Sequence, residues 1–124
     1  MEVEVIGTAL SAVRVRQACI LAAASAGVED GHVAVEFVDA ERIAELNGAH
    51  RGEAGPTDVL SFPVDEHGPA VGPRELGDVV ICPAHTEDLL EAVVHGVLHL
   101  TGMDHETDDG EMLALQAEIR SWLD

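Results

Sequence analysis

The chain has 124 residues, and its formal net charge of -18 comes from 24 carboxylates against six arginines, with no lysine. A chain of this length with 47% hydrophobic residues can bury a sizeable core, which excludes disordered and fibrous proteins. The acidic excess repels polyanions on average. Contact with nucleic acid therefore requires a local cationic group, a bound metal ion or high salt.

The N-terminus and the cysteines indicate the cellular setting. The first residues, MEVEVIG, are acidic where a signal peptide is basic. No apolar run approaches the roughly 18 residues of a membrane-spanning helix. Cys19 and Cys82 are far apart and lack CxxC spacing, which predicts two buried, reduced thiols. We therefore predict a cytoplasmic protein without a membrane partner.

The first half of the chain alternates between strand and helix signals. Acidic and apolar residues alternate from Glu2 to Ile6, which predicts a half-buried strand, and a serine-capped helix is predicted from Ser11 to Ser25. A second strand is predicted from His32 to Val38. The aspartate that follows caps a predicted helix from Asp39 to Asn47.

The next segments predict two more strands. Arg51 to Pro56 has the composition of a loop, and Thr57 to Phe62 predicts a short strand. Val64 to Arg74 lacks periodicity and predicts an exposed connection. Gly77 to Cys82 is an apolar run of strand length. Four strands are therefore expected.

Two helices are predicted in the last third of the chain. A strong apolar stripe at three- and four-residue steps runs from Thr86 to the helix-terminating Gly102. Asp108 and Glu111 form a capping box for the last helix. With no repeat or linker, the pattern predicts one α+β domain over residues 1–124 with about four helices.

The segment HGVLHLTGMDH carries the densest chemical signal. His95 and His99 lie four residues apart on one helix face, and Gly102 lets the chain turn so that His105 approaches them. Three neutral imidazoles around Zn²⁺ leave a fourth position open, as in catalytic zinc sites. We predict that these histidines bind one Zn²⁺ per chain, with Ni²⁺ as an alternative divalent transition metal.

The histidine spacing matches the metal-ligand positions of the zinc-protease signature HExxHxxGxxH, on a metzincin-like helix. Gly96 stands where proteases carry the glutamate that acts as general base, which argues against a protease. Phosphate esters suit the site better, because an arginine can complement the metal. Asp104 is expected in a turn or behind His105 rather than as a fourth ligand, and Glu91 in solvent rather than orienting His95.

The same segment resembles the HGxLHLxGxDH motif of the YbeY family of metal-dependent endoribonucleases. Two further blocks are similar to the family in the same order, TDVLSFP at Thr57 to Pro63 and GDVVI at Gly77 to Ile81. The resemblance implies an α+β fold with a mixed four-stranded sheet and zinc held by three histidines. It also implies cleavage of single-stranded RNA in ribosomal RNA maturation and ribosome quality control.

The resemblance also implies roles and partners. Arg51 occupies the place of an arginine that assists catalysis or phosphate binding, and a guanidinium suits this role because it forks onto phosphate. The implied partners are single-stranded or ribosomal RNA and small-subunit ribosomal components, and no DNA. His50 and Met103 stand where the family usually carries aromatic residues. Arg74 is a second arginine considered for the metal site, whereas Arg120 is interpreted as a solvated helix residue.

Two other functions stay open from the residues. A non-catalytic ribosome assembly factor stabilised by zinc agrees with the negative charge. A metal-dependent hydrolase of peptide or ester bonds requires a base from elsewhere, because Gly96 supplies none. For the endoribonuclease, the attacking group is either a metal-bound water or a ribose hydroxyl.

Overall fold

The computed structural model describes residues 1–64 and 74–123, which form four strands and four helices. The strands are β1 (Glu2–Ile6), β2 (Gly31–Phe37), β3 (Val59–Pro63) and β4 (Arg74–Ile81). The helices are α1 (Ala12–Ser25), α2 (Ala40–Arg51), α3 (Leu89–Leu100) and α4 (Glu111–Trp122), and a 3₁₀ turn at Pro83–His85 lies between β4 and α3. The predicted α+β class is confirmed.

The strands form a single mixed sheet in the order β1, β2, β4, β3. β1, β2 and β4 run parallel, while β3 pairs antiparallel with β4 and forms an edge of the sheet. Since parallel neighbours require a crossover, α1 connects β1 to β2. In the register of the parallel strands, Val35 of β2 lies opposite Val5 and Val79.

The two faces of the sheet are covered differently. The larger core lies between one face and α1, α3 and α4, and its fully buried side chains include Val15, Val35, Val79, Val97 and Ile119. On the other face, α2 covers β3 and β4 through a cluster of Ile43, Leu60, Val80 and Cys82. Helix α3 packs against both β3 and β4, which places it beside the edge strand.

Several element boundaries differ from the sequence-based expectation; strand β3, for example, begins at Val59 rather than Thr57. Helix α2 continues past the predicted Asn47 to Arg51, because Gly52 at φ 68° supplies a left-handed cap; the prediction that Arg51 lies in a loop was therefore wrong. Helix α3 is capped by Asp88 rather than Thr86. The connection expected from Val64 falls on residues 65–73, outside the described ranges, and Arg74 already belongs to β4.

The prediction that Asp108 and Glu111 form a capping box was wrong, because α4 begins later, with Gly110 as its N-cap and no side-chain cap hydrogen bond; both carboxylates bond to backbone N–H groups near the start of the helix instead. The Asp108 carboxylate accepts hydrogen bonds from the backbone N–H groups of Gly110 at 2.8 Å and Met112 at 2.9 Å. Glu111 accepts one from the Asp109 N–H at 2.6 Å. The helix begins after Gly110, whose φ of 98° suits glycine.

An ion pair fastens α4 to the start of α3. Arg120 Nε donates to Asp88 Oδ2 at 2.8 Å, and the arginine side chain is only 23% exposed, so its interpretation as a solvated residue was wrong. Burial raises the pKa of Asp88, but the hydrogen bonds from Arg120 and from the Glu91 N–H outweigh it and leave the pKa lowered. Asp88 therefore stays charged while it caps α3.

Both cysteines are buried and free, as predicted. Burial raises the pKa of Cys19 to about 12, so this thiol stays protonated. In the part of the chain that the structure describes, no helix has the length and apolar character needed to cross a bilayer.

His32 of β2 lies between carboxylates of both neighbouring strands. Its Nδ1 is 3.0 Å from Glu75 Oε1 of β4, and its Nε2 is 3.8 Å from Glu4 Oε2 of β1. The hydrogen bond to Glu75 raises the pKa of His32; burial opposes the rise, and the charges of Glu75, Glu4 and Glu2 add to it. When it is protonated, the ring can therefore pair with carboxylates on both neighbouring strands.

We expect His32→Gln to destabilise the fold more at pH 6 than at pH 8.5. Because folding raises the pKa of His32, the protonated ring stabilises the folded protein. This contribution is complete below the pKa of the unfolded protein, about 6.5, and is lost as the pH rises through the pKa of the folded protein. The groups are partly exposed, so the loss at pH 6 should be about 1 kcal/mol or less. Urea unfolding at the two pH values measures it, and equal losses would contradict the assignment.

Candidate metal centre

Three histidine rings converge at the C-terminal end of α3. His95 and His99 lie on the helix, His105 lies in the turn that follows, and their candidate ligand nitrogens are all within 4.8 Å of one another. The ring centroids of His95 and His99 are 4.7 Å apart, and each is 5.2 Å from that of His105. The convergence expected from the spacing is present, and the role of the rings as ligands stays a prediction.

The turn after α3 brings His105 back to the helix. Gly102 has a φ of 103°, and the Met103 N–H donates to Leu98 O at 3.2 Å, as in a glycine-terminated helix. Asp104 accepts from the Glu106 N–H at 2.9 Å through its side chain. Asp104 therefore has the turn role that the sequence favoured, and His105 is held between two fixed turns.

Hydrogen bonds on Nδ1 orient two of the rings. His99 Nδ1 lies 3.0 Å from the Met103 carbonyl oxygen, which can only accept, so this nitrogen carries the proton and donates. His95 Nδ1 lies 2.7 Å from Oε1 of Gln116 on α4. In both rings the arrangement leaves the Nε2 lone pair for a metal, as is usual for histidine ligands.

Gln116 was missed by sequence reasoning, which considered Glu91 as the partner of His95. Glu91 is exposed, whereas Gln116 reaches His95 because of the way α4 is rotated about its own axis. A sequence pattern cannot supply that rotation, because it depends on packing between helices that are distant along the chain.

The environment of His99 favours its neutral form. Burial lowers the pKa of His99 most, and the charges of His95 and His105 lower it further; the hydrogen bond to Met103 and the charge of Asp104 oppose this shift without reversing it. Because a metal binds only neutral imidazole, this shift keeps the ring ready for binding near neutral pH.

The donor set fits a divalent transition-metal ion. Bonds of about 2.0 to 2.1 Å to a tetrahedral zinc place ligand nitrogens about 3.4 Å apart. The candidate ligand nitrogens of the three histidines, which lie within 4.8 Å of one another, reach this spacing through small rotations of their rings. Imidazole suits zinc, nickel, copper and iron. The geometry supports a metal site without choosing among these ions.

Gly96 allows α3 to lie against the sheet. A Cβ at this position would come less than 3.0 Å from both methyl carbons of Val79 on β4. The Gly96 carbonyl oxygen accepts from Ser61 Oγ of β3 at 3.1 Å. A glutamate at position 96 has no room, so the absence of a protease-type base has a packing cause.

A cavity of about 1210 Å³ contains the histidines and Arg51 together. Residues of β3, of the segment that enters α3, of the turn after α3 and of α4 complete its lining. The exposed Arg51 guanidinium lies 3.7 Å from Glu53 Oε1, and the ring of the adjacent His50 packs 4.4 Å from that of Phe62. Arg74 is not among the described residues that line this cavity.

Local hydrogen bonds support the loop after Arg51. The buried Asn47 donates from Nδ2 to Gly55 O at 3.0 Å. Asp58 Oδ1 accepts from the Val59 N–H at 2.8 Å and from Thr57 Oγ1 at 3.2 Å. Asp58 therefore bonds to its chain neighbours, and the carboxylate that lies beside Arg51 is that of Glu53.

Comparison with known proteins decides the family. The sequence profile described as Endoribonuclease YbeY matches residues 8–124.

The chain belongs to the endoribonuclease YbeY family. An endoribonuclease YbeY from Rubrobacter xylanophilus is 40% identical over an alignment of 121 positions that covers 91% of this chain and 85% of that protein. The one from Bacillus cytotoxicus is 39% identical over an alignment of 127 positions that covers 85% of this chain and 81% of that protein. The resemblance predicted from the histidine motif is confirmed, and membership supports an endoribonuclease, a hydrolase that acts on RNA.

The fold comparison agrees with YbeY membership. A protein from Thermotoga maritima with a solution structure has a TM-score of 0.63 and 29% identity, over 98% of this chain and 88% of that one. YbeY relatives differ in length: the chain spans 57% of the one from Bifidobacterium animalis and 85% of the Rubrobacter protein.

We expect Gly96→Ala to destabilise the protein. Helix propensity favours alanine by about 1 kcal/mol, whereas overpacking against Val79 costs about 1 to 3 kcal/mol, so a net loss of up to about 2 kcal/mol is predicted. Gly48→Ala on α2 is a matched control, because its Cβ would meet only Glu53 O at 3.8 Å. Urea unfolding compares them, and equal or higher stability of Gly96→Ala would contradict the packing argument.

Proposed function

We propose that this YbeY protein is a zinc-dependent endoribonuclease that cleaves single-stranded RNA in ribosomal RNA maturation and ribosome quality control, in the cytoplasm. The supporting observation is that three convergent imidazoles and an exposed arginine line one cavity. Family membership supports the RNA substrate. Ribosomal RNA and small-subunit components are its proposed partners.

Zinc is the proposed ion, bound by His95, His99 and His105. Three neutral nitrogen donors are typical of catalytic zinc, and nickel is the alternative within the same donor preference. When bound, the ion supplies a Lewis acid that stabilises charge on phosphoryl oxygens and acidifies a coordinated hydroxyl group. The protein fixes the direction of the ligand rings through Met103 and Gln116.

Arg51 is the proposed catalytic residue that contacts the phosphate. Its guanidinium can donate two parallel hydrogen bonds to phosphate oxygens as charge develops there. Its present partner, Glu53, is 3.7 Å away with both side chains exposed, and such pairs contribute only about 0 to 1 kcal/mol. A phosphate can therefore replace Glu53 with little loss.

The attacking oxygen belongs either to water or to the ribose 2′-hydroxyl. Attack by the 2′-hydroxyl expels the 5′ oxygen of the next nucleotide and leaves a cyclic 2′,3′-phosphate. Direct attack by water breaks the same diester without a cyclic product. Analysis of the product ends distinguishes the two routes.

A non-catalytic, zinc-stabilised ribosome assembly factor is the second candidate. Acidic side chains favour it, because Glu87, Glu91 and Glu106 line the same cavity and repel phosphate. In that function zinc would only fix the turn that carries His105. Hydrolysis of peptide or ester bonds has less support, since Gly96 leaves no room for the protease base.

We expect zinc to stabilise the protein at pH 7.5 and not at pH 5. Because folding lowers the pKa of His99, the folded protein favours the neutral ring that zinc requires. The stability that the neutral ring contributes is complete above the unfolded pKa of about 6.5 and is lost as the pH falls through the folded pKa. Zinc at 100 times its dissociation constant should add about 2.7 kcal/mol at pH 7.5. Melting with zinc or chelator measures this, with His95→Ala as control; equal zinc effects at both pH values would contradict the site.

We expect Arg51→Ala to lower kcat/KM on single-stranded RNA by about 100-fold or more, because a charge-stabilising donor is lost from the transition state. Zinc content and melting temperature should not change, since the Arg51 side chain is exposed. Arg42→Ala is the matched control: Arg42 lies on the same helix, is exposed, and sits 3.6 Å from Glu45. Similar cleavage by both variants, or cleavage that persists after zinc removal, would rule out the enzyme mechanism.

A further inference from the structure

Gln116 is the side chain through which α4 reaches the histidine cluster. It is half-buried, lines the cavity, and places Oε1 2.7 Å from His95 Nδ1. We propose that Gln116 is a positioning residue for zinc, holding the proton of His95 on Nδ1 and its Nε2 lone pair toward the ion. This inference rests on the proposed function, because it assumes that the three histidines bind zinc.

His95 needs an acceptor from another element, whereas His99 does not. His99 uses the carbonyl oxygen of Met103, which the turn after α3 supplies four residues later. His95 lies inside α3, where the backbone carbonyls accept helical hydrogen bonds. A side chain from a neighbouring helix is therefore the means of setting its tautomer.

Packing of α4 aims Gln116 at His95. Met112, one turn earlier, is fully buried, and Arg120, one turn later, donates to Asp88 at the cap of α3. Because residues four apart share a helix face, Gln116 projects from the same side of α4 between two fixed contacts. The tautomer of His95 thus depends on the docking of the last helix.

A neutral acceptor has a chemical consequence for the substrate. Carboxylates often accept from ligand histidines and add negative charge beside the metal. Gln116 orients His95 without that charge, so the positive charge of the ion stays available to an anionic phosphate. This matters in a chain whose net charge is -18.

The first measurement concerns the metal-free protein at pH 8. Nitrogen-15 NMR of the imidazole rings should show His95 protonated on Nδ1 in the wild type. We expect Gln116→Met to remove this preference and Gln116→Glu, which restores an acceptor, to keep it. Gln17→Met is the matched control, because it makes the same change at an exposed position of α1.

The second measurement is zinc affinity in competition with a chromophoric chelator. Gln116→Met should bind zinc about 10- to 100-fold more weakly, the usual loss when the acceptor behind a histidine ligand is removed. Gln116→Glu should bind within a few-fold of the wild type, and Gln17→Met should not differ from it. Melting temperatures of the metal-free variants establish that each is folded.

The outcomes separate this inference from the proposed function. If the wild type binds zinc and folded Gln116→Met binds it equally well, the inference is overturned and the function stands. If Gln116→Glu binds zinc as weakly as Gln116→Met, the lost affinity reflects packing rather than a missing acceptor, and the inference is also overturned. An Nε2-protonated His95 in the wild type overturns it without any variant. Wild-type zinc affinity no higher than that of His95→Ala overturns the function, and the inference with it.

Discussion

The close approach of α3 to the sheet at Gly96 is the constraint on which the site depends. With no side chain there, the helix lies against Val79 and within hydrogen-bonding distance of Ser61 on the edge strand. His95 and His99 flank this glycine in sequence and line the cavity beside β3. The same contact leaves no room for a protease-type glutamate, so proton transfer must involve other groups. The same contact thus accounts for the position of α3 and for the absence of a protease-type base at position 96.

The cavity that contains the histidine cluster is not basic by itself, because imidazoles bind a metal in their neutral form and carboxylates share the lining with Arg51. Arg51 and the histidine cluster share a cavity, while three glutamates lie along the same lining. A bound divalent ion would raise the local charge without making the surface basic, which is one way for an acidic chain to act on RNA. The shifts of His32 and His99 have opposite signs, so their contributions to the pH dependence of stability oppose each other.

Local patterns predicted much of the fold and the core of the site. The apolar stripe of α3, the histidine spacing and Gly102 depend on contacts within a few residues, and they predicted the convergence of three rings. Other features required the packed structure. Arg120 was placed in solvent because its partner Asp88 is 32 residues away, and Gln116 was missed for the same reason. Helix α2 extends to Arg51 because Gly52 adopts a left-handed cap, whereas composition alone placed Arg51 in a loop.

The position of α4 along the chain affects when the metal centre can mature. A nascent polypeptide exposes His95, His99 and His105 before it exposes Gln116 and Arg120, since translation proceeds from the N-terminus at about 5 to 20 residues per second. Until that last segment emerges and docks, one imidazole lacks its hydrogen-bond acceptor. Under the proposed function, zinc binding at full affinity would then follow the docking of α4 rather than precede it.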